Sequence, residues 1–221
     1  MSRRRKHRGG WRSFVLLAAF VAAVLAAGAI EGPQVARQVW SLVGVRAVEG
    51  HAEVIRQAAR ESAVDPCLLA AIMYVESRGR VDAESPRGAL GLFQLVPAAA
   101  SDAARRLHLP EPGREELLAD AGLNARLGAA HLAWLIANDG PDLERVLVAY
   151  NAGRSRVRGW IRDAGSWEAW REERIRAGDS DVLAYARQVL EFRDRFRERG
   201  VIEPAVALAV GSSGEETGLP E

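Results

Sequence analysis

Residues 65–97 read DPCLLAAIMYVESRGRVDAESPRGALGLFQLVP, and the fold turns on how this stretch is interpreted. Asp65 can accept a hydrogen bond from a free amide of a first helical turn, and Pro66 suits the first helical position, where no N–H is needed. Leu68, Leu69, Ile72, Met73 and Val75 then recur at helical spacing until Gly79 supplies a stop. At about 100° per residue, Leu69, Ile72 and Met73 project within about 60° of Glu76. A carboxylate therefore sits on an apolar face, in the last helical turn. Burial and the negative end of the helix dipole both disfavour its charge, which raises its pKa toward the value that a general acid working near neutral pH requires. A helix end that frays to the surface leaves Glu76 an ordinary solvated group instead, and this helix alone does not decide between the two.

The flanking sequence adds weight. Ser85-Pro86-Arg87-Gly88 is a turn signal, and residues 91–97 form a short apolar segment that holds one amide, Gln94, and closes on Pro97. Gly88 and Gly91 permit positive φ or close backbone approach, as beside an elongated ligand. Each signal is weak singly. Together Glu76-Ser77, then Ser85-Pro86-x-Gly88-Ala89-x-Gly91-Leu92-Phe93-Gln94-Leu95-x-Pro97, then Ala149-Tyr150-Asn151-Ala152-Gly153 resemble the soluble lytic transglycosylase family, in family order and at family-like spacing. The resemblance covers roughly residues 52–196. It implies a mainly α, lysozyme-like catalytic domain with at most a small β-sheet around residues 88–95.

Composition frames the rest. Hydrophobic residues are 48% of the 221 and charged residues 27%, enough to build a core for one ordinary domain with appendages. Six of the 30 basic residues (Arg3, Arg4, Arg5, Lys6, Arg8 and Arg12) precede any acidic one, leaving 24 to face 29 acidic groups. A mildly acidic remainder argues against nucleic acid as a partner. Residues 1–12 read as a basic cytoplasmic leader and 13–30 as one N-terminal transmembrane helix. Its core, residues 14–30, carries no charge and at about 1.5 Å per residue spans about 25 Å of the ~30 Å hydrocarbon layer. The positive cluster stays inside, so the domain lies beyond the inner membrane, in the periplasm or cell-wall space. Ala27-Gly28-Ala29 also fits a cleavage pattern, so the alternative to a membrane anchor is a signal peptide and a secreted protein.

Residues 31–50 read as a juxtamembrane spacer, 51–203 as the catalytic domain, and 204–221 as a disordered tail. Within the domain, residues 51–62, 98–107, 124–137, 143–150 and 181–196 carry helical apolar patterns. Trp167 and Trp170 fall in a region the pattern does not place. Two departures from the family touch packing: Asp120-Ala121-Gly122-Leu123-Asn124 lacks the usual proline, and His131 stands where a tyrosine is common. Phe93 stands where methionine is common, which keeps an apolar wall but can alter its shape.

Hydrolytic cleavage of a glycosidic bond usually uses two carboxylates about 5–10 Å apart. This sequence offers one well-placed candidate, Glu76; Asp82 and Glu84 lie in a polar turn where solvated surface is the default. A single acid matches the transglycosylase mechanism implied by the resemblance. Glu76 protonates the oxygen between N-acetylmuramic acid and N-acetylglucosamine in peptidoglycan glycan strands. It then deprotonates the muramic 6-hydroxyl, which closes a 1,6-anhydro ring. The resemblance further implies that Ser77 orients the acid or a substrate acetamido group, although a local helix-end hydrogen bond serves Ser77 equally well. Gln94 binds sugar, Tyr150 places its hydroxyl against Glu76, Asn151 holds the turn or the glycan, and Tyr185 closes the domain near the cleft. No cofactor is implied. His7, His51, His108 and His131 lack ligand spacing and Cys67 has no partner, so no metal site is expected. The competing interpretations are a hydrolase similar to goose-type lysozyme and a non-catalytic glycan-binding scaffold of the cell wall; an association with cell-envelope machinery is compatible with each.

Overall fold

The computed structural model describes residues 42–178 and 180–202. Helices run Ala52–Ser62 (α1), Pro66–Ser77 (α2), Pro97–Arg106 (α3), Arg114–Ala119 (α4), Ala121–Asp139 (α5), Leu143–Ala152 (α6), Arg154–Ala164 (α7), Trp167–Ala177 (α8) and Asp181–Arg199 (α9). Their starts follow side chains that accept first-turn amides: Asp65 for α2, Asp120 for α5, Asp142 for α6, Ser166 for α8 and Ser180 for α9. Asp120 opens α5 three residues earlier than the apolar pattern suggested.

α2 is the hub. Cys67 through Tyr74 are all buried, as is Ser77, so the helix meets protein on nearly every face. A helix that is apolar all round has no side to show to water. It packs on α9 and α1, while α5 packs on α1, α3, α4 and α6. α9 runs antiparallel to α2, because Asp65 pairs with Arg197 at 2.8 Å at one end and Glu76 bonds Tyr185 at the other. Between them the Tyr74 ring stacks on Phe192, 3.8 Å between centroids, and meets Phe196 edge-on. Such aromatic pairs add about 0.5–1.5 kcal/mol beyond the area they bury.

α2 stops at Ser77, one residue before Arg78 turns left-handed at φ 57°. Gly79 follows at φ 78°, and a Cβ there would lie 2.9 Å from the backbone of Ala47 and Val48. That close approach explains the glycine. It also reveals that residues 45–50, within the expected spacer, are helical and pack into the same compact unit, which begins at Val45. Val48 is fully buried and Glu49 pairs with Arg199.

Among the described residues there is no extended strand. Residues 83–95 instead form a tight loop with two isolated bridges, Glu84 with Leu90 and Leu90 with Leu95, in keeping with the mainly α expectation. Among the described residues no helix is long and apolar enough to cross a membrane. The expected leader 1–12, the anchor or signal segment 13–30, residues 31–41 of the spacer and the tail 204–221 lie outside the described residues.

Candidate active site

Glu76 sits in the last turn of α2, where the helix leaves the core and meets a cleft of about 770 Å³. Burial raises its carboxyl pKa to about 7, and the hydrogen bond from the Tyr185 hydroxyl to Oε1, at 2.7 Å, only partly offsets that. Near neutral pH the group can therefore both give and take a proton. Among the described residues no other acidic side chain lines the cleft. Asp82 and Glu84 are exposed and engaged elsewhere, with Arg80 and Arg114 respectively.

The facing wall is the 83–95 loop, which has two isolated bridges but no helix or strand of its own. Asn124 on α5 holds it from beneath. Its Oδ1 accepts from Phe93 N at 2.9 Å, and its Nδ2 donates to the carbonyl oxygens of Leu90 and Leu117, each at 3.0 Å. A Cβ on Gly91 would fall 2.2 Å from that Nδ2, and one on Gly128 would fall 2.5 Å from the Phe93 ring. Both glycines are thus spaces into which the loop fits. Ser85 ties the other end, its Oγ accepting from the amides of Arg87 and Ala89.

The six expected site residues do gather at this end of α2, with altered duties. Tyr185, expected to close the domain near the cleft, contacts the acid with its hydroxyl, whereas Tyr150, expected against Glu76, donates its hydroxyl to the Phe93 carbonyl oxygen at 2.9 Å and so braces the loop. Burial, and then the Glu76 charge, push both phenols well above their usual pKa, so both remain hydrogen-bond donors. Ser77 is buried; its hydroxyl donates to Met73 O and accepts from Gly79 N, finishing α2 rather than reaching the acid. Gln94 lines the cleft at φ 46°, with its Nε2 donating to Ala83 O and Gly91 O. Asn151 is exposed on the cleft rim in the last turn of α6.

Arg87, His131 and Arg154 also line the cleft and were not expected there. Arg154 is anchored by Asp139 at 2.9 Å, and its guanidinium lies over Trp134. The one sequence hint for Asn124 and His131 was polarity on an otherwise apolar helix face. A second cavity, of about 440 Å³, lies beside Trp160 and Trp170 and contains none of these groups.

Comparison with known proteins identifies the family and the fold. The family described as "Transglycosylase SLT domain" matches residues 53–172, more than half of the chain. The chain is 32% identical over 91 residues to the soluble lytic murein transglycosylase of Escherichia coli, covering 41% of this chain and 14% of that protein. It is 36% identical over 112 residues to the membrane-bound lytic murein transglycosylase C of Shigella sonnei, covering 47% and 31%. The chain thus spans less than a third of either relative's length. Among solved structures, an inactive mutant of the lytic transglycosylase Slt from Pseudomonas aeruginosa superposes with a TM-score of 0.60 at 26% identity, over 70% of this chain and 25% of that one. The family match takes in the Glu76 helix, the cleft loop and Asn124 alike, and on it this chain belongs to the Transglycosylase SLT domain family.

Proposed function

We propose that the protein is a lytic transglycosylase that cleaves peptidoglycan glycan strands between N-acetylmuramic acid and N-acetylglucosamine, with Glu76 as its single acid and base. One observation carries this reading: among the described residues the cleft contains a single carboxyl, half-buried and held near a pKa of about 7. Protonated Glu76 gives its proton to the glycosidic oxygen as the C1–O bond breaks. The substrate's own acetamido group stabilises the resulting ring cation. Glu76, now ionised, takes the proton of the muramic 6-hydroxyl as that oxygen bonds to C1, which restores the acid and closes a 1,6-anhydro ring. Because the hydroxyl is already bound, its attack is intramolecular and can gain several kcal/mol over free water.

Tyr185 steadies the carboxyl through its hydrogen bond, and Gln94 and Asn151 offer polar contacts to the sugars. Tyr150 serves the site by fixing the loop, and Ser77 by ending the helix. The uncharged run at 14–30 behind a basic leader supports a chain tethered to the inner membrane with this domain outside it, or exported if the leader is removed.

Digestion of purified peptidoglycan in heavy-oxygen water tests the chemistry. The expected products end in 1,6-anhydromuramic acid, one water lighter than hydrolysis products, with no label and no reducing end. Labelled reducing ends would show a hydrolase, and the search for a base activating water would then start at Asp82 and Glu84.

A further inference from the structure

His131 stands on the wall of the Glu76 cleft, and no step above uses it. Its ring is wedged between two others. Trp134 lies nearly parallel at 18° with centroids 6.3 Å apart, and Tyr150 is tilted by 54° at 5.4 Å. These contacts fix the imidazole but satisfy none of its polar atoms. Nδ1 is buried and has no hydrogen-bond partner among the described residues. The Tyr150 hydroxyl is committed to Phe93 O.

An unpaired buried polar atom is costly, and a phenylalanine here would make the same ring contacts without that cost. The orphan nitrogen therefore asks for a partner from outside the chain. Burial and the Arg106 guanidinium hold the imidazole pKa down to about 4, against the opposite pull of Asp102. Between about pH 4 and 7 the ring is thus neutral while Glu76 keeps its proton, with one donor and one acceptor to offer. Its place in the cleft is also set. Tyr150 lies close enough to Glu76 for the carboxylate charge to act on its phenol, and His131 packs on Tyr150, so the three follow one another along the wall.

We propose that His131 is a specificity-determining residue, hydrogen-bonding through a ring nitrogen to a hydroxyl of the sugar next to the bond that Glu76 cleaves. A hydroxyl both donates and accepts, so it suits either tautomer. A half-turn of the imidazole about its Cβ–Cγ bond exchanges Nδ1 with Cδ2 and keeps the ring plane, so either edge of the stacked ring can carry the nitrogen. The proposal rests on the cleft being a glycan-cleaving site, and its test keeps the two ideas apart.

The full chain carrying Glu76→Gln is titrated with a stem-free tetrasaccharide of alternating N-acetylglucosamine and N-acetylmuramic acid while the imidazole nitrogens are followed by NMR. The His131 resonances should move on saturation, while those of His51, already bonded to Gly79 O, and of exposed His108 stay in place. Saturation seen at other residues with His131 unmoved overturns the proposal alone. No binding at any residue overturns the glycan reading of the cleft and this proposal with it. In the chain with Glu76 intact, His131→Phe should raise KM for glycan strands about three- to tenfold, the worth of one hydrogen bond, with kcat changed less than about twofold. His131→Asn, which keeps a polar atom near the Nδ1 position, should recover part of that loss. Unchanged kinetics in His131→Phe, or a loss confined to kcat, would refute the role; if that variant does not fold, the titration decides.

Discussion

A half-buried carboxyl at the end of a helix must give up much of its hydration to ionise, and one phenolic hydroxyl does not replace it. The consequences for Glu76 run in a definite direction. Between the unfolded value of 4.5 and the folded value of about 7, the native state keeps a proton that the unfolded state has released. Stability therefore falls as pH rises through that window. The gap corresponds to about 3 kcal/mol, absent below the lower value and fully felt above the upper one. Glu76→Gln should accordingly melt higher than the native protein at about pH 8 and show no gain at about pH 4. A gain of equal size at both would mean that ionisation is not its cause. The same variant should lose glycan cleavage by ~10² or more while remaining folded. Tyr185→Phe removes the one bond that favours the ionised form, so the Glu76 pKa rises and the alkaline limb of the kcat/KM profile should shift to higher pH. An unmoved limb would mean that Tyr185 does not act on the acid.

The cleft is made by an element with little structure of its own. The 83–95 loop is fixed by two hydrogen bonds to one asparagine, whose amide also ties it to Leu117 O on α4, by a brace from Tyr150, and by two glycines that leave it room. Asn124→Leu keeps the volume but strands the Phe93 amide away from water and removes one donor from Leu90 O, which still accepts from Leu95 N. The stranded amide costs about 1–3 kcal/mol, and a loss of that size is expected in chemical denaturation. A loss below about 1 kcal/mol would show that water reaches these groups and that the clamp is dispensable. Gly128→Ala presses a methyl into the Phe93 ring, and overpacking of this kind costs about 1–3 kcal/mol. Because Phe93 and Gln94 shift together, cleavage should fall further than stability alone explains, and an active, merely less stable Gly128→Ala would separate the loop from the site.

For the whole molecule, the proposed location rests on the uncharged run at 14–30 behind six basic residues. A reporter active only outside the cytoplasm, fused after Val201, should give signal, and activity of a cytoplasmic reporter at that point would reverse the orientation. The sequence by itself determined α2, its cap at Asp65 and the helical class, since these depend on local propensity and on apolar residues recurring within one element. It also marked Glu76, because an acid among apolar neighbours at a helix end is unusual wherever the helix packs. The partner of that acid was not decided locally. Tyr150 and Tyr185 are equally plausible donors along the chain, 74 and 109 residues from Glu76, and the antiparallel docking of α9 on α2 selects Tyr185. Ser77 shows the reverse case, its own helix end satisfying it before the cleft can. Asn124 and His131 are polar residues on a buried face whose meaning depends on what packs opposite: the loop backbone for one, an open cleft for the other. Periodicity records that a side chain faces inward; only the tertiary arrangement says what it meets there.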